Sequence, residues 1–221
     1  MLTFMALVSA WGAFGDKQGV HRELRNSAKI VYYLHIHKSG GSTVCHSARV
    51  AGFSTAPSNC NVQPDQRCCN GDTLEDQQMF AQDYRYTFVA NERHMIDNFD
   101  KAHYHYITTL RPPMQRYISH YLHVKRAYNM QITFKEWMRG QPDNWMVRML
   151  CGPGCQRVNK HQLTNAHYQH AWANLCKFDE VVFWGLGKQA FLHLPLVGHA
   201  NSKPTKQARP APCCEEMVRW D

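Results

Sequence analysis

Residues 30–43 read IVYYLHIHKSGGST, and this stretch decides the fold. Ile30, Val31, Tyr32 and Tyr33 are strand formers. The run breaks into Lys38-Ser39-Gly40-Gly41-Ser42-Thr43, and helix-compatible residues follow. A strand that enters a glycine turn and then a helix is the geometry that holds a phosphate. Paired glycines let the backbone approach the anion, and the first-turn N–H groups point toward it. Lys38 adds a mobile positive charge, and the hydroxyls of Ser39, Ser42 and Thr43 add donors. The loop is not of the Walker A type, because its lysine precedes the glycines. In isolation, an ordinary turn with a solvated lysine would read the same way.

Residues 104–121, YHYITTLRPPMQRYISHY, repeat the pattern. Tyr104, Tyr106, Ile107 and Thr109 have the composition of a buried strand. Arg111 follows at its end, and Pro112 and Pro113 suit the first turn of a helix. Apolar and aromatic residues at 114, 117, 118, 121 and 122 keep helical spacing. Ser119 lies about two turns into that helix. An arginine at a strand's C-terminal end and a hydroxyl on the next helix can converge on one phosphate in the crevice of a parallel sheet. The plainer alternative is a salt-bridged arginine and a solvated serine.

Taken together and in this order, the two segments resemble one family. LHIHKSGGST is similar to the 5′-phosphosulfate loop of the sulfotransferases, and TLRPPMQRYISHY to their 3′-phosphate motif. The likeness is strongest to the Golgi carbohydrate sulfotransferases of the heparan sulfate 2-O and 6-O type. It is strong over residues 30–50 and 85–126, looser over 133–202, and absent over the first 29 residues. It implies a single P-loop-like α/β domain, a central parallel sheet flanked by helices, spanning 28–221. It also implies 3′-phosphoadenosine 5′-phosphosulfate (PAPS) as sulfuryl donor, with a glycan as acceptor and no metal. Two positions depart from the family: Pro112 stands where an Asp is usual, and His37 where a Pro is usual. The family continues past the equivalent of Asp221 into a final helix, so the resemblance implies a truncated C-terminus.

The resemblance also assigns roles. Backbone N–H groups of Ser39, Gly40, Gly41, Ser42 and Thr43 would hold the 5′-phosphate, with Lys38 on the bridging oxygen. Arg111 and Ser119 would hold the 3′-phosphate, and Lys203, in the later HANSKP segment, would touch the donor. The strand end YTFVANERHM carries the catalytic base in this family, which places Glu92 on the base position and His94 as second choice. Burial beside Phe88 and Val89 would raise the glutamate's pKa.

Composition is compatible with this reading. The chain has 221 residues, 19% charged and 44% hydrophobic, which suits one globular domain and excludes a disordered chain. A formal charge of +8 with 14 further histidines favours an anionic partner. Charge alone admits a nucleotide, a polyanionic glycan, nucleic acid or an anionic membrane; the resemblance selects nucleotide and glycan, not nucleic acid. Nothing in the sequence sets the oligomeric state. The first 15 residues, MLTFMALVSAWGAFG, are apolar but short of the roughly 20 needed to span a bilayer. A signal or anchor remnant there would admit membrane association and agree with the Golgi lumen; a plain hydrophobic strand is the alternative.

Nine cysteines lean toward an oxidising compartment. Cys60, Cys68 and Cys69 sit in a polar segment, Cys151 and Cys155 bracket Gly-Pro-Gly, and Cys213 and Cys214 are adjacent. A zinc site from Cys151, Cys155, His161, His167 and His170 is an alternative, although its spacing matches no regular finger. Trp137, Trp145 and Trp172 read as core, His103, His105, His120 and His123 as structural, and Lys125, Arg126 and Arg148 as candidates for an anionic acceptor. Two other functions remain open from the residues themselves: a phosphate-binding kinase or NTPase, and a non-catalytic polyanion-binding module.

Overall fold

The computed structural model describes residues 29–62, 73–95 and 98–184. Lys203, the N-terminal apolar segment and Cys68, Cys69, Cys213 and Cys214 lie outside them. Four strands form one parallel sheet: β1 (Ile30–Leu34), β2 (Phe88–Asn91), β3 (Tyr104–Leu110) and β4 (Glu180–Phe183), in the order β2-β1-β3-β4. Among the described residues, seven helices connect and flank them: α1 (Gly41–Val50), α2 (Leu74–Asp83), α3 (Pro113–Tyr128), α4 (Phe134–Arg139), α5 (Trp145–Cys151), α6 (Pro153–Gln156) and α7 (Asn165–Leu175). This is the expected α/β fold.

Strand β1 is central and buried on both faces. Tyr32 and Leu34 face a cluster with Met149, Leu150, Ala171 and Phe178; Val31 and Tyr33 face Val44, Cys45, Ala48 and Phe53. Period-two alternation therefore splits one strand between two cores. Burying tyrosines and threonines there requires partners for their hydroxyls. Tyr33 Oη and Thr109 Oγ1 lie 2.6 Å apart, Asn91 Nδ2 donates to Tyr32 Oη at 2.9 Å, and Thr108 Oγ1 donates to the Leu34 carbonyl at 2.9 Å.

Residues 54–62, which follow α1, are more ordered than their composition suggests. Arg49 donates to Thr55 Oγ1 and to the carbonyl of Ala56. Parallel bridges pair Thr55 with Phe88 and Asn61 with Ala90, extending the sheet beyond β2. Cys45 and Cys60 form a disulfide across a separation of 15 residues, worth about 3 kcal/mol in the chain-entropy picture. A second disulfide joins Cys151 to Cys155, and Cys176 is disulfide-bonded as well.

Three expectations change. The zinc alternative loses its thiolates to the Cys151–Cys155 bond, and His167 Nδ1 accepts the Thr164 N–H at 2.9 Å in the cap of α7. Arg148 is not available to an acceptor: it is 2% exposed, paired with Asp143, and donates to the carbonyls of Cys155 and Asn159. Trp172 is 40% exposed and belongs to no core cluster among the described residues, whereas Trp137 is buried against Tyr117 and Tyr121.

Candidate functional site

All strands run in one direction, so the segments leaving β1, β2 and β3 emerge at the same edge of the sheet. The β1 segment turns sharply. Lys38 and Gly40 both adopt left-handed backbone, with φ of 67° and 95°. Glycine takes that conformation freely, whereas the lysine does so at a cost of about 1–2 kcal/mol. Gly40 then caps α1, its carbonyl accepting from the N–H groups of Thr43 and Val44. The N–H groups of Gly41 and Ser42 have no acceptor within the helix. No acidic residue occupies that first turn, and the Ser39 hydroxyl is buried without a partner among the described residues.

Gly41 has a second reason to be glycine. The His35 ring lies directly beneath it, and a Cβ at that position would sit 1.7 Å from His35 Nε2. His35 is 4% exposed and stacked on Tyr33 at 5.4 Å, so the ring has little room to yield. The paired glycines thus serve the interior as well as any anion approaching from outside.

Arg111 leaves β3 and reaches the loop. Its Nη1 donates to the Lys38 carbonyl at 3.0 Å, and its Nε is buried without a partner among the described residues. Pro112 and Pro113 start α3 immediately afterwards, fixing the backbone from which the arginine projects. Burial, together with the charges of Arg126 and Arg111, lowers the Lys38 pKa, while Glu92 acts in the opposite direction. Ser119 is half-buried on α3 and makes no hydrogen bond to Arg111 among the described residues.

Asn91 shapes the end of β2. Its side chain accepts from the Arg93 N–H at 2.9 Å and donates to the His94 carbonyl at 2.7 Å, and this turn leads Glu92 out of the strand. Glu92 does not lie among the apolar side chains of Phe88 and Val89, which are wholly buried in separate clusters. Its carboxylate, 31% exposed, instead meets polar groups. Asn61 Nδ2 donates to Oε2 at 2.9 Å, while the Nε2 atoms of His35 and His37 each stand 3.8 Å from Oε1. His94 joins this region through its carbonyl.

His35, His37 and His120 are neutral near pH 7. Burial, then the charges of His120 and Lys38, pushes His37 down to about 3. Burial and the Arg116 charge push His120 to about 4, and burial lowers His35. His37 meets His120 edge-on at 4.5 Å, and His120 meets Trp137 at 5.0 Å. Sequence reasoning missed Asn61 and His35 as neighbours of Glu92. The departure at His37 was the one visible signal, and Asn61 carried none.

Loop, arginine and carboxylate thus stand together at one sheet edge, as an anionic nucleotide and a reacting hydroxyl would need. Ser39 Oγ and Arg111 Nε, buried without partners among the described residues, fit a ligand rich in phosphate oxygens. Neither a curated protein nor a solved structure matches the chain. A family model described as "Sulfotransferase family" matches residues 24–180, which include β1 to β3, every helix among the described residues and the start of β4. The chain therefore belongs to the Sulfotransferase family, which includes Golgi carbohydrate sulfotransferases and whose sulfuryl donor is PAPS.

Proposed function

We propose that the protein transfers a sulfuryl group from PAPS to a hydroxyl of a glycan by in-line displacement. The observation that carries this reading is the Arg111–Lys38 contact at 3.0 Å, which joins the two phosphate motifs into one surface beside Glu92. When bound, the donor supplies an activated sulfuryl group whose leaving group is adenosine 3′,5′-bisphosphate. The N–H groups of Gly41 and Ser42 and the Ser39 hydroxyl hold the 5′-phosphate end, the Thr43 N–H being taken by the Gly40 carbonyl, and Arg111, with Ser119, holds the 3′-phosphate. Glu92 takes the proton from the acceptor hydroxyl as its oxygen bonds to sulfur. The sulfur–oxygen bond to the leaving group breaks with its electron pair on the phosphate oxygen, where Lys38 meets the growing charge. Preorganised donors of this kind supply most of the rate enhancement.

A carbohydrate acceptor is favoured by the family's membership and by the exposed cations Lys125 and Arg126 in the last turn of α3. The disulfides support an oxidising compartment, and the Golgi lumen is the one this reading assigns. Among the described residues, no helix is long and apolar enough to cross a membrane. The test is incubation with sulfur-labelled PAPS and a panel of glycans. Label should appear on a glycan. Preference for ATP–magnesium over PAPS would favour a kinase, and glycan binding indifferent to adenosine 3′,5′-bisphosphate would favour a binding module.

A further inference from the structure

Glu92 is a flexible side chain at a strand end, and fixing one gives up rotamer freedom. Its orientation therefore needs a cause. Asn61 provides the hydrogen bond to its carboxylate, and the amide's two ends are distinguished by what they face. Oδ1 faces His35 Nδ1 at 3.4 Å, and Nδ2 faces Glu92 Oε2 at 2.9 Å. With the proton of neutral His35 on Nδ1, its Nε2 carries a lone pair, and the 3.8 Å to Oε1 is beyond hydrogen-bond distance. One carboxylate oxygen is thus engaged by the protein, and the other is left to accept a proton.

The backbone fixes Asn61 with equal economy. Ala90 N donates to the Cys60 carbonyl at 2.7 Å, and Val62 N donates to the Ala90 carbonyl at 2.8 Å. Asn61 is thereby bridged to a strand residue two positions before Glu92. The adjacent Cys60 is bonded to Cys45 on α1, the helix that begins at the phosphate loop.

Resting on the reading of Glu92 as base, we infer that Asn61 is a positioning residue for the transfer: its side-chain amide holds Glu92 with one oxygen toward the acceptor hydroxyl, and the Cys45–Cys60 disulfide ties Asn61 to the donor-loop helix. Asparagine suits this role where aspartate would not, because a second carboxylate at 2.9 Å would repel the first.

The test compares Asn61→Ala, the isosteric Asn61→Asp, Glu92→Gln and the double variant Asn61→Ala/Glu92→Gln in steady-state sulfation. Both Asn61 variants should lower kcat by about 10–100-fold while leaving KM for donor and glycan within about twofold. Affinity for adenosine 3′,5′-bisphosphate by calorimetry should be unchanged, showing that the loop is intact. In the Glu92→Gln background, Asn61→Ala should add no further loss, because a residue that acts through another has nothing left to position. Wild-type kcat in Asn61→Ala and Asn61→Asp, or an undiminished loss on top of Glu92→Gln, overturns the inference. Wild-type turnover in Glu92→Gln alone overturns the assignment of the base instead, and the two failures are read from different variants.

Discussion

Replacing Gly41 by alanine sets helix propensity against packing. Gly41 is the first residue of α1, where alanine would ordinarily gain up to about 1 kcal/mol. The added Cβ, however, would lie 1.7, 2.1 and 2.2 Å from three atoms of the His35 ring. That ring is 4% exposed, stacked on Tyr33 and within reach of Asn61, so it moves only by giving up these contacts. Overpacking of this sort costs about 1–3 kcal/mol, and three such contacts place it at the upper end. The expected net loss is about 2 kcal/mol, or about 1 M in urea midpoint for a slope near 2 kcal/mol/M. His35→Ala costs stability by its own cavity, but it removes the obstacle. The double variant should therefore be more stable than the sum of the singles predicts, by about 2–3 kcal/mol. Urea unfolding of all four proteins decides the matter. A Gly41→Ala protein as stable as wild type, or strict additivity in the cycle, would refute the packing argument.

Lys38→Ala should lower kcat by about 10²–10³, the usual loss of one transition-state donor, while circular dichroism stays unchanged. Because burial and neighbouring cations lower the Lys38 pKa, kcat/KM in the wild type should decline on the alkaline side below the ordinary lysine range. A profile flat to pH 10 would contradict that assignment. His37 and His120 titrate at about 3 and about 4 in the fold, against about 6.5 when unfolded. The unfolded chain therefore binds protons first, and stability should be complete above about pH 6.5 and fall toward pH 4. The slope rises as the unfolded chain takes up protons that the fold refuses, and solvent screening of the partly exposed rings moderates it. Thermal unfolding across that window checks this, and His37→Gln should flatten the curve; an unchanged slope would count against a buried neutral His37.

The sequence carried the framework further than the site. Tyr32 and Tyr33 advertised a buried strand, the Lys38–Thr43 run a phosphate turn, and Arg111 with its two prolines a second strand end. These are local signals, and local signals survive in a linear reading. The surroundings of Glu92 were not local. Asn61 comes from 31 residues away, out of a segment without periodicity, and reaches the carboxylate through a disulfide and a bridge to Ala90. Arg148 looked like a surface cation because its partners, Asp143 before α5, the Cys155 carbonyl in α6 and the Asn159 carbonyl after it, meet only when the chain folds back. Gly41 read as a glycine for the anion alone, and the His35 ring beneath it revealed a second purpose.

The most direct test of the donor site compares adenosine 3′,5′-bisphosphate with adenosine 5′-monophosphate in calorimetric titrations of the wild type and Arg111→Ala. If Arg111 grips the 3′-phosphate while the Lys38 loop grips the 5′ end, the wild type should bind the bisphosphate more tightly by about tenfold or more. Arg111→Ala should lose that preference yet retain the monophosphate affinity. Equal affinity of the wild type for the two nucleotides, or a preference that survives in Arg111→Ala, would contradict the account.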